Sequence, residues 1–483
     1  MPVSRCLTRS ACAHADAVRR IRDDIGDDTQ WLAALGAALL LERASFSANK
    51  KVSSKKNASS QTETTIRTRY ARLSGYVATL PRREANVVAS WPEERRRSLA
   101  GTDVERALRC ERSAARREWE GYVKTRVREA LAARRETSEN KTSETREGNL
   151  TSFPTFRDYL DARSVVSSRA FLVTDAEGPG LVPIADLFNH RTGGHHVAMR
   201  LLDGDGDGDA TLVAVVSSRV EKGAEVFNTY GALGNATLLN SYGFTQENNP
   251  EDTVSVSVPD LRAAAAMRGA PGPVVAKRLA ACFSSRRAPF QEHALFPLRK
   301  TRSPPNGGSP LEPPTALLVA LWAVTATDEA FASAEREIAG ETAGLGGSGD
   351  PAEEAGRDAA AAAAAALWRA AAERAEVSGT IFTAAASEVF LEILDRRRRM
   401  YVDVPEDYRE DDSIQRDAET GGWRASLRIL VESERAVVDA HAAETKRRLA
   451  AFRGEFRADE LDDAKRRKTA VVAEAEDPFA LFD

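Results

Sequence analysis

The stretch "LVPIADLFNH", Leu181–His190, begins as an apolar run and ends in an Asp, an Asn and a His within five positions. Apolar runs bounded by turn signals usually belong to a protein core, where clustered polar groups are unfavourable unless they have partners or a use. We therefore treat Asp186, Asn189 and His190 as candidate functional residues at the mouth of a buried segment.

The composition limits the class of protein. At 483 residues the chain is long enough for two or three domains with hydrophobic cores of their own. Its formal net charge of −4 provides no basic field, so we expect neither direct nucleic-acid binding nor attraction to a membrane. The uncharged run "WLAALGAALLL" stops at Glu42, well short of the about 20 residues that a membrane span needs. Four cysteines without a CxxC pair argue against a disulfide framework and a four-thiolate zinc site.

The first part of the chain predicts a helix followed by a flexible insertion. Leu32, Leu35 and Leu39 recur at helical spacing and predict a helix over residues 30–44. The Ser- and Lys-rich segment 45–65 then breaks all periodicity, which is typical of a flexible insertion.

A second long helix is predicted from its start signal. Thr102 and Glu105 in "GTDVERAL" have the spacing of a capping box, in which the two side chains satisfy backbone N–H groups at a helix start. We expect this helix to continue through an Arg- and Glu-rich run to about Arg135. The polar segment 136–149 then indicates another linker.

From Val165 onward the sequence predicts strands. The β-rich runs, with Gly-containing turns between them, are "VVSSRAFLV" from Val165, "TLVAVVSS" from Thr211 and "EVFNTY" from Glu225. The stretch "GNATLLNSYGF" predicts a short helix that Asn235 caps and that ends with Gly243 at its C′ position.

Beyond Pro250 strand signals nearly vanish, and we expect an all-helical second half from about residue 258. The low-complexity run Ala359–Ala366 is strongly helix-forming. Other apolar residues recur at helical spacing, namely Leu318, Leu321, Trp322, Leu427, Leu430, Val431 and Val438.

Two patterns resemble metal sites, but each lacks ligands that the site would require. The run "DGDGDGD", Asp203–Asp209, matches the start of a calcium loop, but position twelve is Ala214 where a bidentate Glu is required. The run "NHRTGGHH" offers His190, His195 and His196 without a further ligand pair nearby. We interpret the first as a hairpin turn and the second as a polar loop, and we expect no metal.

Three ordered motifs carry a resemblance to a known family: "SRAF" at Ser168–Phe171, "ADLFNH" at Ala185–His190, and "GAEVFNTYGALGNATLLNSYGF" at Gly223–Phe244. Together they resemble the catalytic half of the SET-domain protein-lysine methyltransferases, in particular the Rubisco large-subunit methyltransferase type. The resemblance implies an α+β protein: a β-rich SET fold with a helical insertion, followed by an all-α C-terminal domain that binds the substrate.

The resemblance and the shifts in composition divide the chain into five parts. These are a remnant of the N-terminal SET part with the first helix (1–44), a helical insertion with a flexible Lys- and Ser-rich segment (45–163), the catalytic SET core (164–247), a helical substrate-binding domain (258–456) and a charged tail that we expect to be disordered (457–483).

The function that the resemblance implies is transfer of a methyl group from S-adenosylmethionine to a lysine side-chain amine of a protein substrate. Tyr230 matches the catalytic tyrosine of the family. The cofactor is assigned to Asn189, His190, Tyr242 and Arg169, and the substrate to Asp186 and Arg169. Two alternatives stay open: a histidine acceptor, and a catalytically decayed SET fold that binds a protein.

One departure concerns the family's first cofactor-binding element, a Gly-x-Gly turn upstream of the helical insertion. The only glycines before residue 44 are Gly26 and Gly36, so we expect the sequence as given to begin after that hairpin. The basic cluster "KRRK", Lys465–Lys468, has the composition of a nuclear signal, although four basic residues together often occur by chance. We expect a monomer in the nucleus, the cytoplasm or both. The Arg-, Ser- and Ala-rich first fifteen residues leave a plastid as the alternative.

Overall fold

The computed structural model describes residues 6–8, 12, 14–25, 31–49, 73, 75–139, 153–174, 178–202, 210–283, 294–299, 311, 313–342, 383–401 and 422–453. These residues form helices and two-stranded antiparallel sheets, which confirms the predicted α+β fold class. The chain divides into two compact units: Met1–Asp252 with Val402–Ser433, and Thr253–Tyr401 with Glu434–Asp483. In the described ranges no helix combines the length and the apolarity that crossing a membrane requires.

The first unit begins with helices. In chain order these are α1 (Ala15–Ile25), α2 (Trp31–Asn49), α3 (Glu93–Arg97), α4 (Asp103–Glu118), α5 (Lys124–Glu139) and α6 (Phe156–Arg169). A π turn, Trp119–Val123, joins α4 to α5, and short 3₁₀ turns lie at Val88–Ser90 and Ala185–Leu187.

Helices α2 and α6 pack together at the centre of the first unit's core. Leu35 and Leu39, which lie at the predicted helical spacing, are fully buried, and so is Tyr159 of α6. Each fully buried leucine contributes roughly 2 kcal/mol through the hydrophobic effect. The predicted helix is therefore confirmed, and it extends to Asn49; the remainder of the predicted insertion, residues 50–65, lies outside the described residues.

Helix α6 takes the place of the first half of a predicted strand. The Thr155 hydroxyl accepts from the backbone N–H of Asp158, whose carboxylate accepts from the N–H of Thr155, which completes a capping box. Val165 and Val166 are fully buried near the helix end, so packing outweighs the strand preference of β-branched residues. The predicted strand is therefore wrong over residues 165–169 and confirmed over residues 170–173, where β1 (Ala170–Thr174) lies.

The predicted start of the second long helix is confirmed at α4. The Thr102 hydroxyl accepts from the backbone N–H of Glu105 at 3.3 Å. The Glu105 carboxylate accepts in turn from the N–H of Gly101 at 3.0 Å, one residue earlier than a standard capping box requires. Through the π turn and α5 the helix continues to Glu139, close to the predicted end.

The strands of the first unit form two hairpin-like pairs. Strand β1 pairs with β2 (Gly178–Leu181), and β3 (Val197–Leu202) pairs with β4 (Thr211–Val216). Leu202 faces Thr211 across the second pair, so the two strands on either side of the Asp- and Gly-rich run pair antiparallel. Residues 203–209 of that run lie outside the described residues.

The predicted strand over residues 225–230 is wrong. In this segment, which is described throughout, the one bridge to another segment joins Asn228 to His190. The backbone N–H of Phe227 donates to the His196 ring nitrogen Nδ1 at 3.0 Å, and its carbonyl accepts from the N–H of His196 at 2.8 Å. Because these backbone groups already have partners in a loop, no strand ladder extends along the segment.

The second unit contains most of the remaining helices. In chain order the further elements of the chain are α7 (Asn235–Thr237) with a π turn (Leu238–Tyr242) in the first unit, then β5 (Thr253–Ser257), α8 (Val258–Met267), α9 (Gly272–Phe283), β6 (Leu295–Arg299), α10 (Thr315–Thr325), α11 (Asp328–Thr342), α12 (Ala384–Met400) and α13 (Gly422–Phe452). The first unit includes α13 as far as Ser433.

Strands β5 and β6 correct the expectation of an all-helical second half. They pair antiparallel, with Val254 facing Leu298 and Val256 facing Phe296. These four side chains are buried and their neighbours within the strands, apart from the buried Ser257, are more exposed, which is the alternation of a half-buried sheet. The alternation of buried and exposed residues is only five residues long in each strand, and the two strands lie about forty residues apart in the sequence. The sequence alone therefore did not indicate this pair.

The apolar residues predicted at helical spacing lie in helices. All except the half-buried Trp322 are buried: Leu318 and Leu321 in α10, and Leu427, Leu430, Val431 and Val438 in α13. The predicted helix at Ala359–Ala366 and the predicted disordered tail 457–483 lie outside the described residues.

Candidate active site

The polar end of the stretch quoted first lies beside the segment that carries Tyr230. The backbone N–H of Asn228 donates to the Asn189 carbonyl at 2.8 Å, and the N–H of Arg191 donates to the Asn228 carbonyl at 3.0 Å. These bonds form the parallel bridge between His190 and Asn228. Two segments that are separated in the sequence are thereby fixed side by side.

Direct contacts join His190, Tyr230 and Phe188. The backbone N–H of Tyr230 donates to Nδ1 of His190 at 2.9 Å, and the two rings stack with their centroids 5.0 Å apart. The Tyr230 hydroxyl donates to the Phe188 carbonyl at 2.7 Å. Both ends of the tyrosine are therefore held by the segment that precedes and includes His190.

His190 is held as a neutral imidazole. Because its Nδ1 accepts a hydrogen bond, the ring proton belongs on Nε2, which lies 2.9 Å from the Thr192 hydroxyl and donates to it. Thr192 donates in turn to the side-chain carbonyl of Gln246 at 3.0 Å. Burial, and then the nearby His195, lower the pKa of His190, which favours the same neutral form.

Asn235 anchors the turn that carries Tyr242, although not as its cap. Gly234 occupies the N-cap position, and Asn235 is buried in the first helical turn. Its amide donates to the Gln246 carbonyl and to the Asp252 carboxylate, each at 2.9 Å, and accepts from the Gln246 N–H at 2.7 Å. The predicted capping role of Asn235 is wrong, because this buried amide is satisfied by residues from the next loop.

Four rings form what we call the aromatic cluster: His190, Tyr230, Tyr242 and Phe244. The Tyr230 and Tyr242 ring centroids are 4.7 Å apart, and that of Phe244 is 6.1 Å from His190. Tyr242 ends the π turn, and Gly243 follows it with a left-handed φ of 83°, as predicted for the end of this helix. The tight turn at Gly243 brings the aromatic residues on either side of it in the "YGF" motif to one site.

The two phenols of the cluster stay protonated at neutral pH. Burial, and then the neighbouring Tyr242, raise the pKa of Tyr230 to about 12. Burial also raises the pKa of Tyr242. These hydroxyl groups can therefore orient a ligand through hydrogen bonds, but they are poor general bases near pH 7.

A second group, the Arg169 network, consists of Tyr76, Glu84, Arg169 and Asp186. The Arg169 guanidinium donates from Nε to the Glu84 carboxylate at 2.6 Å and from Nη1 to that of Asp186 at 3.2 Å. The Tyr76 hydroxyl donates to the same Asp186 oxygen at 3.1 Å. Burial acts to lower the pKa of Arg169, but the two carboxylates outweigh it and the pKa is raised.

The structure brings the predicted site residues together in two groups, both in the first unit. Tyr230, His190 and Tyr242 share the aromatic cluster, while Arg169 and Asp186 share an ion pair. Asn189 lies between the groups in the sequence; its side chain is exposed and donates to the Glu225 carboxylate at 2.6 Å.

Two members of the Arg169 network were missed by sequence reasoning. Tyr76 lies in "SGYVATLP", a stretch that carried the family resemblance but no predicted role. Glu84 follows in the polar run "RREAN", where nothing distinguishes it from the many other glutamates of the chain. Asp186 lies 110 residues after Tyr76, and Arg169 lies 85 residues after Glu84. Only the fold therefore reveals these contacts.

Two features of the site suit an organic cation. Aromatic faces attract cations, and the Arg169 network holds two carboxylates against one guanidinium. Among the described residues, no group of three His, Cys, Asp or Glu side chains lies together in a way that could bind a metal.

The fold is shared with a structurally characterised class of enzymes. The crystal structure of the SET domain of LSMT bound to lysine and AdoHcy matches 92% of this chain and 80% of that chain, with a TM-score of 0.52 and 16% identity. Rubisco LSMT bound to sinefungin and monomethyllysine matches 93% and 81%, with a TM-score of 0.50 and 16% identity. The chain therefore has the SET-domain fold of lysine methyltransferases.

Sequence relatives match a shorter segment. The ribosomal lysine N-methyltransferase set10 of Schizosaccharomyces pombe is 36% identical over 115 residues, which are 22% of this chain and 20% of that protein. The N-lysine methyltransferase SETD6 of Homo sapiens is 31% identical over 94 residues, 19% of this chain and 18% of that protein. The chain thus spans about a fifth of the length of these curated relatives. No family model matches the sequence.

Proposed function

We propose that the protein is a protein-lysine N-methyltransferase that uses S-adenosylmethionine. The observation that carries the proposal is the fixed Tyr230 phenol, which donates to the Phe188 carbonyl and packs against the rings of His190 and Tyr242. The names of the sequence relatives and the shared SET-domain fold support the same class of reaction.

The residues present fit this cofactor. Half-buried aromatic rings and the excess carboxylate of the Arg169 network suit a sulfonium, and Asn189, His190, Tyr242 and Arg169 would hold the cofactor. When bound, S-adenosylmethionine supplies an electrophilic methyl group on a positively charged sulfur.

Tyr230 would orient the acceptor amine. Its hydroxyl proton is committed to the Phe188 carbonyl, so the oxygen lone pairs remain free to accept a hydrogen bond from an amine N–H. Because its pKa is raised to about 12, Tyr230 holds the amine rather than removing its proton. A lysine amine, with an ordinary pKa of about 10.4, must arrive neutral, and the half-buried aromatic rings disfavour its charged form.

The substrate would be a lysine-containing segment of a protein, held near Asp186 and Arg169. The second unit, with its helices, is proposed as the substrate-binding domain. The net charge of −4 supports a protein that does not bind nucleic acid directly, and we propose a monomer in the nucleus or cytoplasm.

The test combines cofactor binding with labelling. We expect the full chain to bind S-adenosylmethionine in calorimetry and to transfer labelled methyl groups from it to lysines of a protein lysate, as read by mass spectrometry. Tyr230→Phe should reduce transfer by at least about a hundredfold, with cofactor affinity changed by less than about threefold, because positioning acts on the chemical step. Tyr122→Phe, a half-buried tyrosine of the π turn after α4, is the matched control.

Each outcome separates the alternatives. Absence of cofactor binding contradicts the proposal and leaves a protein-binding module. Labelled histidine instead of lysine would show that the protein is a histidine methyltransferase. Unchanged turnover in Tyr230→Phe would show that Tyr230 is not a catalytic residue.

A further inference from the structure

We infer that Glu84 determines which form of the cofactor binds more tightly. Its carboxylate adds a negative charge to the Arg169 network, and this charge favours the cationic donor S-adenosylmethionine over the neutral product S-adenosylhomocysteine. The inference rests on the proposed function. It concerns charge at the site rather than the chemistry of transfer.

The network is arranged around one guanidinium. Glu84 contacts Nε of Arg169 at 2.6 Å and Asp186 contacts its Nη1 at 3.2 Å, so two carboxylates share one positive charge. The Asp186 side chain is 3% exposed, and those of Arg169 and Glu84 are 24% and 20% exposed. Tyr76 adds a neutral hydrogen bond. With both acids ionised, the charges of these four side chains sum to −1, and Arg43 of α2 also acts electrostatically on Glu84.

The network is connected to the candidate catalytic tyrosine through the backbone. Arg169 Nη1 also donates to the backbone carbonyl of Asp186 at 3.4 Å, and Phe188, two residues later, accepts from the Tyr230 hydroxyl at 2.7 Å. After burial and Tyr242, Arg169 lowers the pKa of Tyr230 while Asp186 and Glu84 raise it, so all three charges of the network act at the phenol.

The physical consequence differs between the two forms of the cofactor. S-adenosylmethionine carries a positive sulfonium, whereas S-adenosylhomocysteine has a neutral thioether at the same position. Partly buried charges are screened less than exposed ones, so a net negative network attracts the donor and leaves the product nearly unaffected. Without Glu84 the negative charge beside Arg169 falls by one unit, and this preference for the donor should decrease.

Calorimetric titration of the full chain with S-adenosylmethionine and with S-adenosylhomocysteine tests the inference. The measured quantity is the ratio of the two Kd values. Removal of one unit charge from a partly buried site predicts that Glu84→Gln shifts this ratio by about tenfold towards the product. Glu84→Asp retains the charge and should restore the wild-type ratio.

Two further variants control for folding and for local structure. Glu93→Gln makes the same chemical change in another 2.6 Å ion pair of the first unit, with Arg96, and should leave the ratio unchanged. Glu84→Ser removes the same charge with a smaller polar side chain and should reproduce the effect of Glu84→Gln, so the test does not depend on one variant folding.

The outcomes distinguish this inference from the proposed function. If the wild-type chain binds neither ligand, the proposed function fails and the inference fails with it. If both ligands bind but Glu84→Gln and Glu84→Ser weaken them equally, Glu84 has only a structural role and the inference alone is overturned.

Discussion

The backbone N–H of Tyr230 donates to Nδ1 of His190 at 2.9 Å, and this bond favours the neutral form of the imidazole. A protonated His190 would carry a hydrogen on both ring nitrogens and would direct one of them at the Tyr230 N–H. The same bond fixes the backbone at the start of the Tyr230 side chain. The protonation of His190 and the position of the candidate catalytic phenol are therefore linked.

This link predicts a pH dependence of stability. The pKa of His190 is lowered by burial and by His195, so the folded state takes up a proton less readily than the unfolded chain. Its contribution to stability is fully present above the unfolded pKa of about 6.5 and is lost as the pH falls below that value. We expect Tm to fall between pH 7.5 and 5.5.

His190→Asn separates this effect from other titrating groups. The asparagine carbonyl can still accept from the Tyr230 N–H but does not titrate, so Tm of the variant should fall less over the same pH range. His441, whose pKa is also lowered mainly by burial, is present in both proteins. Equal decreases in both proteins would assign the pH dependence to other groups.

Gly243→Ala should be among the most destabilising single substitutions. A Cβ at Gly243 would lie 2.6 Å from the backbone carbonyl carbon of Asn86, and its φ of 83° is unfavourable for alanine. Gly223→Ala is the matched control, because its φ is 85° but a Cβ there meets nothing within 4 Å. We expect unfolding free energies lower by about 1 kcal/mol for Gly223→Ala and by at least about 3 kcal/mol for Gly243→Ala, in denaturant titrations. Similar losses would show that backbone strain, rather than contact with Asn86, dominates.

The contact between the helical insertion and the turn that carries Tyr242 can be tested by adding a negative charge to it. Asn240 donates to the Glu111 carboxylate of α4 at 2.7 Å in a half-buried contact. Asn240→Asp would place two carboxyl groups against each other, and we expect a loss of about 2 kcal/mol at pH 8 that decreases towards pH 5. Burial already raises the pKa of Glu111, so one proton between the two groups would relieve the repulsion.

The double variant Glu111→Gln with Asn240→Asp exchanges the donor and the acceptor. It should recover most of the stability lost by Asn240→Asp, because an amide again faces a carboxylate. No recovery in thermal unfolding at pH 8 would mean that the lost stability does not arise from this pair.

Ile184→Gly is expected to stabilise the protein. Ile184 has a φ of 74°, which is strained for a β-branched residue, and its side chain is 68% exposed. Relief of strain should exceed the chain-entropy penalty of glycine and raise the unfolding free energy by about 1 kcal/mol. Leu187→Gly is the control: Leu187 is 72% exposed in a 3₁₀ turn with ordinary φ, so it should lose about 1 kcal/mol. A loss of stability in both variants would contradict the assignment of strain.

The sequence by itself determined the elements whose signals lie in consecutive residues. The apolar spacing of α2, the Thr102 cap of α4 and the left-handed Gly243 all lie where local patterns predicted them. The ordered motifs also predicted that His190, Tyr230 and Tyr242 meet, because the family resemblance carries long-range information that propensity does not.

Only the tertiary structure decided the features that depend on distant partners. Val165 lies in a helix because that helix buries it, and Asn235 is an anchor rather than a cap because Gln246 and Asp252 reach it. Glu84 became a candidate site residue only through its 2.6 Å contact with Arg169, 85 residues away. A helix start or a turn is stabilised by neighbours in the chain, whereas an ion pair over such a separation forms only after packing has brought its two segments together.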